Sequence, residues 1–146
     1  MDKSFKKGCV LIVGGSGGIG SLCAQEFAQS GARVVITYYK NEKAAIDVAN
    51  DINNDVQIYQ LDNSDPKSVE ETIQKVVNDH GSINTLVNAA GFDIPQKFIS
   101  EIDIDLWKGV IDADINGFFN LVKFGLPHLR ESQGSIVFIS SAGLFK

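Results

Sequence analysis

Cysteine and histidine are both scarce in this chain. Only two of its 146 residues are cysteines, Cys9 and Cys23, and neither belongs to a Cys-x-x-Cys pair or a Cys/His cluster. So low a density excludes a secreted scaffold held by disulfide bonds, and the apolar neighbours of both residues predict buried, inert thiols. The two histidines, His80 and His128, lie far apart in sequence and without a carboxylate cluster. We therefore assign no metal site.

An excess of positive charge is also absent. Thirteen Lys and Arg residues stand against eighteen Asp and Glu residues, which gives a formal net charge of -5 and a pI near 4.9. Such an acidic chain lacks the basic surface that a phosphate backbone selects, so we expect no nucleic-acid partner. A small anionic ligand is not excluded, because backbone N–H groups at a helix N-terminus bind phosphate without side-chain charge.

Long apolar segments are missing as well. The first seven residues are largely charged or polar, and the apolar run that follows them covers only positions 9–13. A signal peptide or a membrane-spanning helix needs a longer stretch. We expect a cytoplasmic protein without a membrane segment.

Short apolar runs alternate with helical patterns along the whole chain. Runs rich in Val and Ile predict strands at 9–13, 33–38, 56–61, 83–88 and 135–140. Helical periodicity predicts one helix with Ile19, Leu22, Cys23 and Phe27 on its apolar face, and further helices at 44–52 and 66–80. The pattern also predicts a helical region at 104–129, which contains Gly109 and Gly117 and is therefore either two helices or one kinked helix. Pro127 is expected to bend or end the last of them. This alternation indicates an α/β fold with a doubly wound parallel sheet, strand order 3-2-1-4-5.

A glycine-rich segment follows the first predicted strand and opens the first predicted helix. It reads Gly14-Gly15-Ser16-Gly17-Gly18-Ile19-Gly20. Glycines in this context allow positive φ and let the chain approach a pyrophosphate, which the helix N-terminus then faces. Two registers fit, G-x-G-x-x-G from Gly15 and G-x-x-x-G-x-G from Gly14. The segment predicts a dinucleotide site in either register.

Four further features follow in order along the chain. Asp62 ends the third strand, Asn88-Ala89-Ala90-Gly91 ends the fourth, Asn116 lies in the long helical region, and Ser140-Ser141 ends the fifth strand. With Gly14-x-x-x-Gly18-x-Gly20 they resemble the short-chain dehydrogenase/reductase family, most closely its 3-oxoacyl-acyl-carrier-protein reductases. The resemblance covers essentially the whole chain and favours the register from Gly14. It implies one NAD(P)-binding Rossmann domain over residues 1–146.

The resemblance also implies a role for each motif. Asp62 and the Asn63 amide would hydrogen-bond the adenine amino group. Asn116 would hold a water in a proton relay, and Ser141 would orient a substrate carbonyl. The glycine turn, namely Gly14, Ser16, Gly17, Gly18, Ile19 and Gly20, would hold the pyrophosphate and adenosine ribose, while Asn88, Ala89, Ala90 and Gly91 would line the ribose pocket. Val13 departs from the family's usual Thr, which removes one hydroxyl that would tether the turn.

Cofactor choice depends on the end of the second strand. NAD-dependent relatives carry an acid there, and this chain has Tyr38 with Lys40 close by. Gly17 occupies the position at which many NADP-dependent relatives have Arg, and this difference favours NAD. The balance favours NADP over NAD, with a small carbonyl or alcohol compound as substrate. The apolar stripe Phe118, Phe119, Leu121, Val122, Phe124 and Leu126 predicts a core face that could also bury against a second subunit in a homo-oligomer.

The family's catalytic Tyr-x-x-x-Lys is expected about a dozen residues beyond Ser141. The sequence ends at Lys146, so we expect a fragment of a longer reductase, incomplete at its C-terminus and inactive alone. Tyr38, Tyr39 and Tyr59 fall in or beside the second and third strands, where none can replace that Tyr. A non-catalytic dinucleotide-binding or interaction module is the alternative.

Overall fold

Five parallel strands form the framework of the molecule. The computed structural model describes residues 8–52, 55–92, 94–95 and 97–140. The strands are β1 (Cys9–Val13), β2 (Val34–Tyr38), β3 (Gln57–Gln60), β4 (Ile83–Asn88) and β5 (Ser135–Phe138). They lie in one sheet in the order β3-β2-β1-β4-β5, and every neighbouring pair is parallel. The predicted α/β fold and its strand order are confirmed.

Helices connect successive strands. They are α1 (Gly18–Gln29), α2 (Glu42–Asp51), α3 (Pro66–His80), α4 (Ile104–Val110) and α5 (Gly117–Ser132). The Asn41 side chain caps α2 by accepting from the Ala44 amide, and Asp65 caps α3 with Pro66 in its first turn. These caps satisfy amide groups that the helix itself leaves unpaired, which explains why each helix begins where it does.

The core lies in two layers, one on each face of the sheet. Cys9, Leu11 and Val13 of β1 face the cluster formed with α3 and α5, whereas Val10 and Ile12 face the cluster formed with α1 and α2. All five residues are at most 2% exposed. The strand is apolar at every position because successive side chains point to opposite faces and both faces are covered.

The predicted apolar face of α1 is confirmed only in part, because Cys23 and Phe27 pack against the core while the other two residues do not. Ile19 and Leu22 are 57% and 61% exposed, and the residues that α1 buries are Gly20, Ala24 and Ala28. These three small residues recur every fourth position, so they share one side of the helix. Small side chains allow the helix axis to lie close to the sheet, and larger ones are displaced outward. Cys23 is accordingly only half-buried, although Cys9 is buried as predicted.

The long helical region predicted at 104–129 is continuous and extends further. Between α4 and α5 lies a π-helical turn, Ile111–Asn116, called the π turn below. Pro127 lies inside α5, which continues to Ser132, so of the two predicted alternatives, a bend or an end, the end is wrong. The Ser132 hydroxyl donates to the Ile83 carbonyl oxygen at 2.6 Å, and Leu129 is buried. These contacts hold the end of α5 to β4 despite the amide hydrogen that Pro127 lacks.

The stripe predicted on α5 is only partly a core face. Leu121 is fully buried, but Phe119 is 63% exposed. The Phe118 ring lies 4.4 Å from that of Phe138 on β5, centroid to centroid. No helix in the described part of the chain is long and apolar enough to cross a membrane.

Candidate functional site

The glycine turn joins β1 to α1 with two glycines in tight contact. Gly14 has φ +77°, and a Cβ there would lie 2.7 Å from the Ala90 backbone. A Cβ on Gly20 would meet the Gly14 carbonyl oxygen. A side chain at either position would therefore collide with backbone. Apart from its chain neighbours and the backbone of its own helix, no described residue has an atom within 4 Å of the Cβ position of Gly18, so the surface of the turn is open there.

A hydroxyl does tether the turn, and it comes from the neighbouring strand. Thr37 on β2 is 1% exposed, and its Oγ1 accepts from the Gly14 amide at 3.3 Å. The sequence motif did not predict this contact, because the usual Thr is expected at position 13, which here is Val13. The polar residue within the apolar run of β2 was the available signal, since a buried hydroxyl needs a partner.

The N-terminus of α1 has free amides. Gly17 is the N-cap residue and has no side chain to hydrogen-bond the first turn. Gly17 itself donates to Gly14, and Ser21 donates back to Gly17. The amides of Gly18, Ile19 and Gly20 have no partner among the described residues. Unpaired amides at the positive end of a helix bind an anion.

A cavity of about 360 Å³ opens beside this turn at the carboxyl ends of the strands. It brings together six of the predicted site residues: Gly14, Tyr38, Asp62, Asn63, Ala90 and Gly91. Ser16, Gly17, Gly18, Ile19, Gly20, Asn88, Ala89 and Asn116 are not part of its lining, and Ser141 lies outside the described residues. The other lining residues were not predicted from the sequence; they are Val13, Thr37, Tyr39, Leu61, Ser64, Phe92, Gly109, Asp112 and Ala113.

Asp62 shapes the loop that follows β3. Its Oδ1 accepts from the Ser64 amide at 3.0 Å and from the Ser64 hydroxyl at 2.6 Å. The Asp62 amide in turn donates to Ser68 Oγ at 3.0 Å. Among the described residues no hydrogen bond reaches Asp62 Oδ2. The carboxylate therefore closes a loop with one oxygen and keeps the other available.

Asn88 is fully buried at the end of β4. Its Oδ1 accepts from the Ala90 amide at 3.2 Å, which fixes the turn after the strand. Its Nδ2 has no hydrogen-bond partner among the described residues. A buried donor without a partner is uncommon, because leaving it unpaired costs about 1–3 kcal/mol.

Asn116 is exposed, and its Nδ2 donates to Asp112 Oδ1 at 2.8 Å. Its role in a proton relay stays a prediction. The residue of the π turn that reaches the loop after β4 is Asp114, whose Oδ1 accepts from the Phe92 amide at 3.0 Å. Asp114 was not predicted from the sequence, because its position in an ordinary helical pattern does not distinguish it from other polar residues.

An acid from the first turn of α2, Glu42, contacts the residue that ends β2. The Tyr38 hydroxyl donates to Glu42 Oε1 at 3.0 Å, and the Lys40 ammonium lies 4.7 Å from the centroid of the Tyr39 ring. Partial burial and the Glu42 carboxylate raise the pKa of Tyr38 above its usual value. A negative and a positive group therefore contact Tyr38 and Tyr39, two residues that line the cavity.

No group of three His, Cys, Asp or Glu residues within the described ranges could hold a metal ion. His80 lies at the end of α3, where its Nε2 is 3.3 Å from the Tyr59 hydroxyl.

Comparison with known proteins identifies one family. The model of the short chain dehydrogenase family matches residues 8–146. The chain is 32% identical to 3-oxoacyl-acyl-carrier-protein reductase of Thermotoga maritima over 134 residues, which are 90% of this chain and 54% of that protein. It is 30% identical to L-fucose dehydrogenase of Mus musculus over 132 residues, 90% of this chain and 48% of that protein. The chain thus spans about half the length of these relatives.

Solved structures agree on the architecture. Aldohexose dehydrogenase of Thermoplasma acidophilum, in ligand-free form, superposes with a TM-score of 0.75 at 29% identity over 92% of this chain and 50% of that one. A 3-ketoacyl-acyl-carrier-protein reductase of Brucella melitensis, complexed with NADH, gives 0.88 at 23% identity over 96% of this chain and 60% of that one. The second likeness establishes the fold alone.

Proposed function

Because the chain belongs to the short-chain dehydrogenase family, we propose that it forms the cofactor-binding half of an NADP-dependent oxidoreductase. The substrate would be a small carbonyl or alcohol compound, and within this class we propose a 3-oxoacyl thioester. The Thermotoga maritima relative, a 3-oxoacyl-acyl-carrier-protein reductase, supports this substrate class. We further propose that the complete protein carries the Tyr-x-x-x-Lys motif and forms a homo-oligomer.

The observation that carries the proposal is the open surface of the glycine turn beside an uncapped helix N-terminus. No neighbouring group fills the Cβ position of Gly18, and no side chain caps the amides of the first turn of α1. Gly14, Ser16, Gly17, Gly18, Ile19 and Gly20 would hold the pyrophosphate and the adenosine ribose. The adjoining cavity of about 360 Å³ would receive the adenosine.

Each remaining site residue has a distinct task in this proposal. Asp62 Oδ2 would accept from the adenine amino group, with the Asn63 amide beside it. Asn88, Ala89, Ala90 and Gly91 hold the turn after β4 that would support the ribose. The bound nicotinamide would supply the hydride. Ser141 would donate a hydrogen bond to the substrate carbonyl oxygen, and Asn116 would hold a water of the proton relay.

Binding to the glycine turn is tested with Gly18→Asp in the 146-residue chain. The carboxylate would occupy the pyrophosphate position and repel it, so we expect NADPH binding to be lost in a titration of nicotinamide fluorescence. An acid in the first turn favours the helix dipole, so we expect the melting temperature to be equal or higher. Gly18→Ala is the matched control for the added charge: its Cβ is accommodated by the neighbouring protein groups, and we expect it to weaken NADPH binding less than the carboxylate does. Unchanged affinity in Gly18→Asp contradicts the assigned site.

The preference for NADP is tested at Tyr38. In Tyr38→Asp, a carboxylate would repel the 2′-phosphate of NADP and accept from the 2′-hydroxyl of NAD. We expect the ratio of the NADPH and NADH dissociation constants to shift towards NADH by at least about tenfold, a change of roughly 1.4 kcal/mol. Tyr38→Phe, which frees Glu42 without adding charge, is the control. A wild-type chain that already prefers NADH would contradict the proposed preference.

A further inference from the structure

Two loops that line the cavity are both fastened to the π turn. Asn63, in the loop after β3, is 9% exposed, and its Nδ2 donates to the Ala113 carbonyl oxygen at 2.9 Å. From the other side, Asp114 Oδ1 accepts from the Phe92 amide in the loop after β4. Residues of the π turn, Asp112 and Ala113, line the same cavity. The π turn is thus one wall of the proposed adenosine site.

The Asn63 side chain is enclosed by α5 as well. Asn120 is buried, and its Nδ2 donates to the Asn63 carbonyl oxygen at 3.0 Å. At Gly117, the first residue of α5, an added Cβ would collide with Asn63 Nδ2. A glycine at this helical position lowers helix propensity, and here it gives the amide of Asn63 room to reach Ala113.

A π-helical turn needs such support. The Gly117 amide donates to the Asp112 carbonyl oxygen, a bond that spans five residues instead of four. This geometry is rare, and in proteins it occurs mostly as single turns near functional sites. The Asn63 amide takes up the Ala113 carbonyl from outside the helix. The sequence between Gly109 and Gly117 holds no proline that would impose the irregularity.

We propose that Asn63 is a positioning residue that couples occupation of the adenosine site to the π turn. Its backbone follows Asp62 at the adenine end, and its side chain holds Ala113. A ligand beside Asp62 would therefore rigidify residues 111–118, although it touches the far part of that segment nowhere. This part of the inference rests on the proposed cofactor site. The seating of the π turn by Asn63 does not, and it can be measured without ligand.

The test uses hydrogen exchange on the 146-residue chain, read peptide by peptide, with and without adenosine 2′,5′-bisphosphate. Asn63→Asp keeps the shape of the side chain but replaces the Nδ2 donor by an acceptor. In Gly117→Ala the added Cβ displaces the side-chain amide of Asn63. We expect both to speed exchange of residues 111–118 by about tenfold or more, as loss of a buried hydrogen bond would. Asn78→Asp, exposed on α3 and bonded to Gln74, is the matched control and should leave exchange unchanged.

Binding of the bisphosphate is followed by calorimetry alongside exchange. In the wild type we expect the ligand to slow exchange at 111–118, and in both variants we expect that slowing to be lost.

Faster exchange throughout the sheet of the variants, including β1, would mean that Asn63 has a merely structural role and would overturn the inference. Ligand binding without slowing at 111–118 in the wild type would overturn the coupling and leave the cofactor site standing. If the wild type does not bind the bisphosphate, the proposed cofactor site is overturned. The exchange rates of the ligand-free wild type and variants at 111–118 then still test whether Asn63 holds the π turn. If Asn63→Asp fails to fold, Gly117→Ala decides.

Discussion

β1 and β5 are both short, apolar strands of one parallel sheet, yet their surroundings differ completely. Every residue of β1 is at most 2% exposed, whereas Ile136, Val137 and Phe138 of β5 are 40–44% exposed. β1 is paired on both sides and covered by helices on both faces, while among the described residues β5 is paired with β4 alone. An apolar strand composition therefore indicates compatibility with burial, and the position in the sheet decides how much burial occurs.

The largest expected effect comes from making the same substitution in both strands. Ile12→Ala removes a side chain that is 0% exposed, so we expect a loss of about 2–5 kcal/mol in the free energy of unfolding. Ile136→Ala removes one that is 40% exposed, so we expect a loss of at most about 1 kcal/mol. Urea denaturation followed by circular dichroism measures both. Equal losses would mean that β5 is covered in solution, for instance by self-association.

Self-association through β5 is the next prediction. An exposed, apolar edge strand pairs readily with another chain, and a charge on it opposes this pairing. We expect the 146-residue chain to elute in part as oligomers from size exclusion with light scattering, and Val137→Lys to shift it towards monomer. Ile46→Lys, at a residue of α2 that is 42% exposed, is the matched control. Oligomers that persist in Val137→Lys and disappear in Ile46→Lys would assign association to α2 instead.

Most of the fold follows from local patterns. The strand β1, the glycine turn and the capped start of α3 each show a periodicity or a cap that acts within a few residues, so the elements and their order could be predicted. The packing of α1 could not be predicted in this way, because Gly20, Ala24 and Ala28 are buried on account of their small size. An apolar pattern instead predicts burial of the larger residues Ile19 and Leu22. Continuation of α5 past Pro127 depends on the contact of Ser132 with β4, which no local pattern contains.

The candidate site divides in the same way. Three parts of the site lie where a strand ends: the glycine turn after β1, Asp62 after β3 and the segment 88–91 at the end of β4. Their meeting at one edge of the sheet was therefore predictable. Thr37, Asn63 and Asp114 act through contacts that span more than twenty residues. Those contacts depend on how neighbouring strands and the π turn are aligned, which the sequence pattern does not encode.

The smallest expected effect concerns β3, which forms the edge of the sheet opposite β5. Polar contacts join β3 to the end of α3. The Tyr59 hydroxyl donates to Asp79 Oδ2 at 2.7 Å and lies 3.3 Å from His80 Nε2. Burial lowers the pKa of His80 below its ordinary value near 6.5, Arg33 lowers it further, and Asp79 and Asp55 oppose the shift. The folded state thus prefers the neutral ring.

Because the folded pKa of His80 is the lower one, its stabilising contribution is present above about pH 6.5 and is lost as the pH falls through the lowered pKa. We expect the urea midpoint to fall between pH 7.5 and pH 5.5 by less in His80→Gln than in the wild type. Gln keeps a polar group near Tyr59 and cannot titrate in this range, so the difference between the two falls isolates the imidazole from the carboxylates. The same fall in both chains would mean that His80 is equally hydrated folded and unfolded, and that this edge, like β5, is open to water.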